Sequence, residues 1–368
     1  MAPILGMHMA NELLSVPVAI TMLALAAAAV SWATARAAKA ADVEKLPLMG
    51  VMGAFVFAAQ MINFPVLPGT SDHLVGGVLL AILLGPWAAL VTMAAILIIQ
   101  CLLFQDGGLL ALGANIINMG GMAVIGWLLY RLILGRPAPA RAWRQYLAAW
   151  AACLVAVALG ATLVSLEAFT SGVLQIPLKD FVAVMVGVHL ISGFAEGLIT
   201  FAVLAFLRRV RPAALGLPVG QFASPGTPQR LSRKAFAASV LATSLLLAAV
   251  VSWFASTRPD GLEWSYRDHR YAGSAAAIRN DSPLVALANA WQDKWTVMRD
   301  YSRREAPLGQ LPPAANKTAA WKASWPNIDG WGSLAGLLGT AATLGVLYVL
   351  ARWARRRDDA RAAPNETG

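Results

Sequence analysis

The stretch that decides the fold runs from Gln60 to Asn118. Its most informative part reads Asn63-Phe64-Pro65-Val66-Leu67-Pro68-Gly69-Thr70-Ser71-Asp72-His73-Leu74-Val75-Gly76-Gly77. Proline and glycine at these spacings are typical of tight backbone turns. His73 closes the turn between two hydrophobic segments. If those segments are membrane helices, an ionisable side chain at their edge marks a candidate functional site.

The composition of the whole chain supports that condition. Of its 368 residues, 58% are hydrophobic and only 13% are charged, and the mean hydropathy is +0.62. Soluble domains carry about 25% charged residues. The repeated apolar runs therefore predict an all-α integral membrane protein embedded in a lipid bilayer.

The charged residues fit the same interpretation. The net charge of +10 comes from short Lys/Arg clusters beside apolar segments, which is the positive-inside pattern of membrane proteins. We therefore expect no nucleic acid partner. Cys101 and Cys153 lie inside apolar runs, where cysteine usually acts as a small packing residue.

The apolar segments divide the chain into two units. Seven of them precede a linker rich in Pro, Gly, Ser and Gln. One of the seven, the segment 74–84, is short for a full span and is expected to be tilted, half-inserted or buried by its neighbours. Two more flank a polar outer loop. We predict a membrane domain over 1–211, a linker over 212–234, a two-helix unit over 235–357 and a disordered tail over 358–368.

Two histidines fall on the same predicted outer face, His8 and His73. A pair of imidazoles suits borderline metals such as Ni(II), Cu(II), Co(II) and Zn(II). If the chain starts at Met7, its amine, the His8 amide nitrogen and the His8 ring nitrogen can form adjacent chelate rings. His73 would then complete a square plane that favours Ni(II) or Cu(II). The alternative is a frayed N-terminus that carries an incidental histidine.

A second polar cluster lies on one face of a predicted helix. His189, Gly193, Glu196 and Thr200 recur at helical spacing, so His189 and Glu196 should point into the bundle. They either support metal ligands, satisfy each other across a helix interface, or act as the acid/base pair of a membrane enzyme.

Three further patterns receive plainer interpretations. Asp106, Asn115 and Asn118 either line a polar path or cap and bridge helices, and packing is favoured. Pro259-Asp260-Gly261-Leu262-Glu263 predicts a surface turn. No Gly-x-x-x-x-Gly-Lys-Ser/Thr motif occurs, which argues against a P-loop ATPase in this chain.

Taken together, several ordered segments resemble a known family, the CbiM/NikM substrate-specific membrane components of cobalt and nickel energy-coupling factor transporters. The resemblance covers about residues 7–209 and rests on Met7-His8-Met9-Ala10-Asn11, Gln60-Met61-Ile62-Asn63-Phe64-Pro65, Gly69-Thr70-Ser71-Asp72-His73-Leu74, Gly85-Pro86-Trp87, Asp106-Gly107-Gly108-Leu109 with Gly113-Ala114-Asn115, and the segment 189–200. The 259–263 stretch resembles the PDGLE signature of the accessory CbiN/NikN subunit. The chain thus looks like a natural fusion of the two.

The resemblance implies a function. It implies Ni(II) or Co(II) ligation by the Met7 amine, His8 and His73, and we assign supporting roles to Asn63, Ser71, His189 and Glu196. It also implies that the chain is a transporter component rather than an enzyme, without a cofactor of its own. ATPase subunits and a transmembrane coupling subunit would be separate chains.

The resemblance also sets the expected topology and the alternatives. The protein would cross the plasma membrane several times, with the metal site and the PDGLE loop outside and the C-terminus in the cytoplasm. The family begins at Met-His, whereas six residues precede Met7 here, so we expect translation to start at Met7. The alternatives are a membrane enzyme using His189 and Glu196, which would turn over a substrate without partners, and a passive metal channel, which would not need ATPase subunits.

Overall fold

The structure is a computed structural model that describes residues 8–39, 46–135, 142–210, 215, 232–256, 258–268, 278–301 and 326–362. It confirms an all-α membrane protein. Within these ranges, six helices are long and apolar enough to cross a bilayer: Val16–Lys39, Pro86–Phe104, Leu112–Leu134, Ala142–Thr170, Leu178–Val210 and Gly330–Arg352. Two shorter apolar helices, Leu48–Gln60 and Lys234–Ala249, accompany them.

The first unit contains eight helices and one hairpin among the residues described. In chain order they are α1 (Val16–Lys39), α2 (Leu46–Gln60), β1 (Phe64–Leu67), β2 (Thr70–Asp72), α3 (Gly77–Leu84), α4 (Pro86–Ile99), α5 (Leu112–Asn115), α6 (Met122–Leu134), α7 (Ala142–Thr170) and α8 (Leu178–Val210). Two π-helical segments extend α4 and join α5 to α6: Gln100–Phe104 and Ile116–Gly121.

The second unit packs against α2. Its described helices are α9 (Arg233–Ala249), α10 (Gly261–Glu263), α11 (Pro283–Trp295) and α12 (Gly330–Ala362). A Cβ at Gly339 of α12 would lie 1.9 Å from the Phe57 ring, so glycine permits the close approach of α12 and α2. The helix continues to Ala362, into the segment predicted as a disordered tail. Most of the predicted linker lies outside the described residues.

The segment 74–84 is buried by its neighbours, one of the three predicted alternatives. Its helix α3 has eight residues, about 12 Å, whereas the hydrocarbon core is about 30 Å thick. At the start of α4, Trp87 contacts Trp32 on α1 with ring centroids 4.3 Å apart. Because Trp32 lies towards the C-terminal end of α1, α3 carries the chain away from the His73 end of the bundle.

The predicted helix 48–64 is too long at its C-terminal end. The helix ends at Gln60, and Phe64–Leu67 pairs with Thr70–Asp72 as an antiparallel hairpin in which Phe64 lies opposite Asp72. Pro65 explains the difference, since proline disfavours helical backbone in the residue before it. At Gly69, φ is +95°, a turn conformation that suits glycine. The hairpin delivers His73 to the interior.

A small apolar cluster lies beside this hairpin, separate from the main helical core. It joins residues of the N-terminal segment to α8 and to the second unit: Met9, Leu13, Leu14, Phe181, Met185, Leu262 and Tyr266. Burial of these side chains stabilises the contact between three parts of the chain that are distant in sequence. The candidate site lies against this cluster.

Candidate metal centre

The structure brings His8 and His73 together. Their ring centroids lie 5.2 Å apart with an interplanar angle of 55°, and the two residues are only 4% and 7% exposed. His8 precedes α1, and His73 directly follows β2. Both line a cavity of about 80 Å³ with Asp72, His189 and Asp260. The predicted proximity of the two imidazoles is therefore present in the fold.

The hydrogen bonds of the two rings share one pattern. His8 Nδ1 lies 2.9 Å from Asp106 Oδ1, and His73 Nδ1 lies 3.1 Å from the Leu74 carbonyl oxygen. When Nδ1 of a neutral imidazole donates its proton to an oxygen, Nε2 is the basic nitrogen of the ring. Among the described residues, His8 Nε2 is buried without a hydrogen-bond partner. This tautomer arrangement is common for metal-binding histidines.

Asp106 orients the His8 ring. It lies just beyond the π-helical extension of α4, and its Oδ2 accepts a hydrogen bond of 2.6 Å from the Tyr301 hydroxyl. Burial alone would raise the pKa of Asp106. The electrostatic attraction of His8 and the hydrogen bonds with His8 and Tyr301 outweigh the effect of burial, so that the pKa of Asp106 lies below its usual value. The carboxylate therefore serves as the hydrogen-bonding partner that holds the His8 ring in place.

The main chain next to His8 is held by an amide side chain and a glycine pair. Asn115 accepts from the Met9 N–H at 3.0 Å and donates to the Met9 carbonyl at 3.1 Å. The Gly108 N–H donates to the same carbonyl at 2.9 Å. A Cβ at Gly108 would lie 2.3 Å from the Asn11 nitrogen, so only glycine fits there. Asn115 thus bridges two segments, and Asn118 donates to Glu167 Oε2 on α7 at 2.7 Å, as the favoured packing role predicts. Asp106 differs, because it binds the His8 ring.

The second unit also holds this segment, a contact that the sequence did not predict. Asn11 Nδ2 donates to Asn289 Oδ1 at 2.6 Å and to Gln292 Oε1 at 2.7 Å, both on α11. Asn280 Nδ2 donates to the Leu14 carbonyl at 2.7 Å. The available signal was the helical spacing of Asn289 and Gln292, which places two amides on one face of α11.

Different contacts position His73. Asp72 accepts a 2.8 Å hydrogen bond from the His73 N–H and a short one from the Ser192 hydroxyl. Glu196 accepts from the Val75 and Gly76 N–H groups at 2.9 and 3.2 Å, so its carboxylate fixes the main chain just beyond the histidine. Burial, aided by His8, lowers the pKa of His73 and favours the neutral ring.

His189 lines the same cavity but has partners of its own. Its Nδ1 donates to the Met185 carbonyl at 2.7 Å, and its Nε2 lies 3.9 Å from Asp72 Oδ2. Glu196 is occupied by the two N–H groups beyond His73. The pair therefore lacks the direct contact that mutual satisfaction or an acid/base dyad requires.

The PDGLE turn is not a surface turn, because it closes one side of the cavity. The Pro259 carbonyl accepts from the Ser71 N–H at 2.8 Å, and the Ser71 hydroxyl donates to the Arg258 carbonyl at 2.7 Å. Asp260 caps α10 by accepting from the Glu263 N–H at 2.7 Å and lines the cavity. Burial and the nearby Glu263 raise the pKa of Asp260.

Gly261 and Asn63 complete the junction between the units. A Cβ at Gly261 would lie 2.8 Å from a Val188 methyl group, so this glycine lets the PDGLE turn pack tightly on α8. Leu262 belongs to the apolar cluster beside the site. The Asn63 carbonyl accepts from the Ser256 N–H at 2.7 Å. The Asn63 main chain and the Ser71 side chain thus join the two units.

The side chains described in the structure do not form a complete metal coordination shell. In those parts of the chain, no three His, Cys, Asp or Glu side chains form a group that could hold a metal ion. Met7 lies outside the described residues.

Comparisons with known proteins assign this arrangement to a family. The family model described as "Cobalt uptake substrate-specific transmembrane region", CbiM, matches residues 8–214. The chain belongs to the CbiM family. A PDGLE domain model matches residues 234–356, so the chain is a CbiM-type region fused to a PDGLE domain. Family membership makes it a membrane transport component rather than an enzyme.

Other CbiM-family proteins have the same two-part organisation by name. A putative fused nickel transport protein NikMN of Archaeoglobus fulgidus is 35% identical over 84% of this chain and 86% of its own length. The fused nickel transport protein NikMN of Rhodobacter capsulatus is 33% identical over 73% of this chain and 81% of its own length. A crystal structure of a truncated transition metal transporter is 29% identical, with a TM-score of 0.45, over 55% of this chain and 98% of the other.

Proposed function

We propose that this chain captures Ni(II) or Co(II) as the substrate-binding component of an ATP-driven energy-coupling factor importer. The observation that carries the proposal is the pair His8–His73, buried at 5.2 Å between ring centroids. Imidazole nitrogens favour Ni(II), Co(II), Cu(II) and Zn(II) over Mg²⁺ and Ca²⁺. The names of the fused relatives favour nickel, and the family description favours cobalt.

In the proposed complex, the metal binds between the two rings through Nε2 of His8 and Nε2 of His73. Their Nδ1 atoms keep their present partners, Asp106 and the Leu74 carbonyl. Main-chain nitrogens of the N-terminal segment, including the amine of Met7 if the chain starts there, supply further donors.

The chelate expected from the sequence is a distinct mode. A ring that closes on the His8 amide nitrogen uses Nδ1 rather than Nε2, because Nδ1 lies nearer to the backbone. That mode requires the Nδ1–Asp106 hydrogen bond to be exchanged for the metal. The contacts of the described state favour the Nε2 mode, since Nε2 is the nitrogen without a partner there.

The proposed transport cycle needs other chains. We place the metal site and the PDGLE turn on the outer side of the plasma membrane and the C-terminus in the cytoplasm, in keeping with the Lys/Arg clusters. ATPase subunits and a transmembrane coupling subunit would drive the change that opens the site inwards. Protonation of the histidines would then weaken the hold on the metal.

The experiment that tests the proposal is radioactive nickel and cobalt uptake into cells that express the chain with its partner subunits. His73→Ala should abolish uptake while the protein still inserts into the membrane. His269→Ala, the same substitution at a histidine without an assigned role, serves as the matched control. Wild-type uptake by His73→Ala would overturn the proposal. Uptake that persists without ATPase subunits would indicate a passive channel instead.

A further inference from the structure

Helix α11 of the second unit carries three kinds of residue on three sides. Successive residues of an α-helix are rotated by about 100°. One side is buried against the protein: Val285, Ala288, Asn289 and Gln292. A second side exposes large apolar side chains: Leu284 at 41%, Leu287 at 64%, Trp291 at 46% and Trp295 at 61%. The third side holds smaller or charged residues: Ala286, Ala290, Asp293 and Lys294.

The protein-facing side carries two amides, whereas the large apolar side chains point away from the protein, which reverses the usual pattern of a soluble helix. Asn289 and Gln292 bind the His8 segment, while leucine and tryptophan face away from the protein. Soluble proteins rarely expose contiguous apolar patches of this kind without a partner. The exposed apolar side therefore needs an apolar environment.

Both ends of α11 lie at the level where membrane spans end. Just before the helix, Asn280 donates to the Leu14 carbonyl, next to the start of α1 at Val16. Just after the helix, the Val297 and Met298 N–H groups donate to the Leu103 carbonyl at 3.0 and 3.1 Å. Leu103 belongs to the last turn of the span Pro86–Phe104.

Exposed apolar side chains also lie where the chain leaves α11 and meets the span Pro86–Phe104. Val297, whose N–H donates to the Leu103 carbonyl, is 59% exposed, and Ile98 and Leu102 near the end of the same span are 39% and 37% exposed. Tryptophan is enriched where hydrocarbon meets the headgroups. Lys294 lies 5.6 Å from the Trp295 ring centroid, at the border between the apolar and the charged sides, where a cation can reach the headgroups.

We propose that α11 lies in the lipid–water interface of the leaflet at the metal-site end of the protein. Its apolar side, defined by Leu284, Leu287, Trp291 and Trp295, enters the acyl chains. Ala286 and Ala290 face water, and the amide side stays on the protein. Amphipathic helices bind bilayers in this manner through buried apolar area. Lipid thus holds one side of the helix whose other side binds the His8 segment.

Site-directed spin labelling of the full chain in phosphatidylcholine/phosphatidylglycerol nanodiscs tests this placement without any metal. A nitroxide is attached to Leu287→Cys or Trp291→Cys, and to Ala286→Cys as the matched control on the water side of the same helix. Leu25→Cys, at an exposed position of α1, is the bilayer reference. Cys101 and Cys153 are buried, and the unsubstituted chain provides the labelling blank.

The measurement is the accessibility of each label to oxygen, which concentrates in lipid, relative to a water-soluble chromium oxalate. We expect a ratio at 287 and 291 about threefold or more above that at 286, approaching the ratio at 25. Equal ratios at 287 and 286 would overturn the proposal. So would a label at 287 that is shielded from both reagents, which indicates a protein partner. Spin–spin broadening that disappears on dilution with unlabelled chain would indicate a second copy instead.

Discussion

His73 and His8 are neighbours in space, but different parts of the chain hold them. His73 is fixed within the first unit, by Asp72 and by Glu196 on the main chain that follows it. His8 is fixed by Asp106 and, through Tyr301 and the α11 amides, by the second unit. The PDGLE turn binds the His73 hairpin through hydrogen bonds with Ser71 and Thr70.

This difference indicates a division of labour. The contacts to the His73 main chain come from the first unit, so the position of His73 should depend less on the second unit than the position of His8 does. The His8 segment precedes the first span and depends on contacts from residues 280–301. The second unit therefore matters most for presenting His8.

The largest expected effect concerns the His73 side. Glu196→Ala leaves the buried Val75 and Gly76 N–H groups without their acceptor, which should lower the free energy of unfolding by about 3 kcal/mol and metal affinity by about 100-fold. Thermal unfolding in detergent and nickel titration of the purified chain measure both. Glu196→Gln, which keeps one acceptor oxygen, should fall in between. Wild-type stability of Glu196→Ala would show that the hydrogen bonds of Glu196 to the Val75 and Gly76 N–H groups do not stabilise the fold.

The next effect concerns the orientation of His8. Asp106→Asn removes the charged acceptor of Nδ1–H and should weaken nickel binding by about 10- to 100-fold, as for other partners of metal-binding histidines. Asp281→Asn, at an exposed carboxylate, is the control in the same calorimetric titration. Unchanged or tighter binding by Asp106→Asn would favour the chelate through Nδ1.

A smaller effect should follow from loss of the α11 amide. Gln292 accepts from Asn11 and from the Leu109 N–H at 2.9 Å, and donates to the Gly107 carbonyl at 3.1 Å. Gln292→Leu should weaken nickel binding by about tenfold, because these buried groups lose their partner. Lys294→Gln on the exposed side should bind like the wild type. Equal affinity of the two variants would separate the second unit from His8 presentation.

The smallest effect is expected at Tyr301. Tyr301→Phe removes the hydroxyl that donates to Asp106 but keeps the ring, which stacks on Phe104 with centroids 4.8 Å apart. One hydrogen bond contributes about 1 kcal/mol, so affinity should fall by about fivefold. Tyr348→Phe, at an exposed tyrosine, controls for the substitution. A loss as large as that of Asp106→Asn would mean that Tyr301 does more than support the carboxylate.

Much of this account was accessible from the sequence. Apolar run lengths predicted the helical membrane fold, and the segment order predicted that His8 and the His73 loop lie on the same face of the protein. Hydrophobicity alone did not predict the β1–β2 hairpin, because helix and strand are both compatible with the short apolar run at 64–67. Pro65 within this run was the local signal that the helix ends before it.

The support of His8 could not be predicted in the same way. Asp106, Asn115, Asn280, Asn289 and Gln292 are ordinary polar residues in sequence, and their roles arise from contacts across as many as 281 positions. Such pairings depend on how the second unit packs on the first. The PDGLE turn illustrates the same point, since its acidic residues suggested a surface position although Asp260 and Glu263 are buried.

The most direct test of the central claim is X-ray absorption spectroscopy of the purified, nickel-loaded chain and its His8→Ala and His73→Ala variants. The account predicts two imidazole ligands on one nickel ion in the wild type and one in whichever variant retains metal. A wild-type spectrum without imidazole scattering, or one that neither substitution changes, would contradict a shared site between His8 and His73.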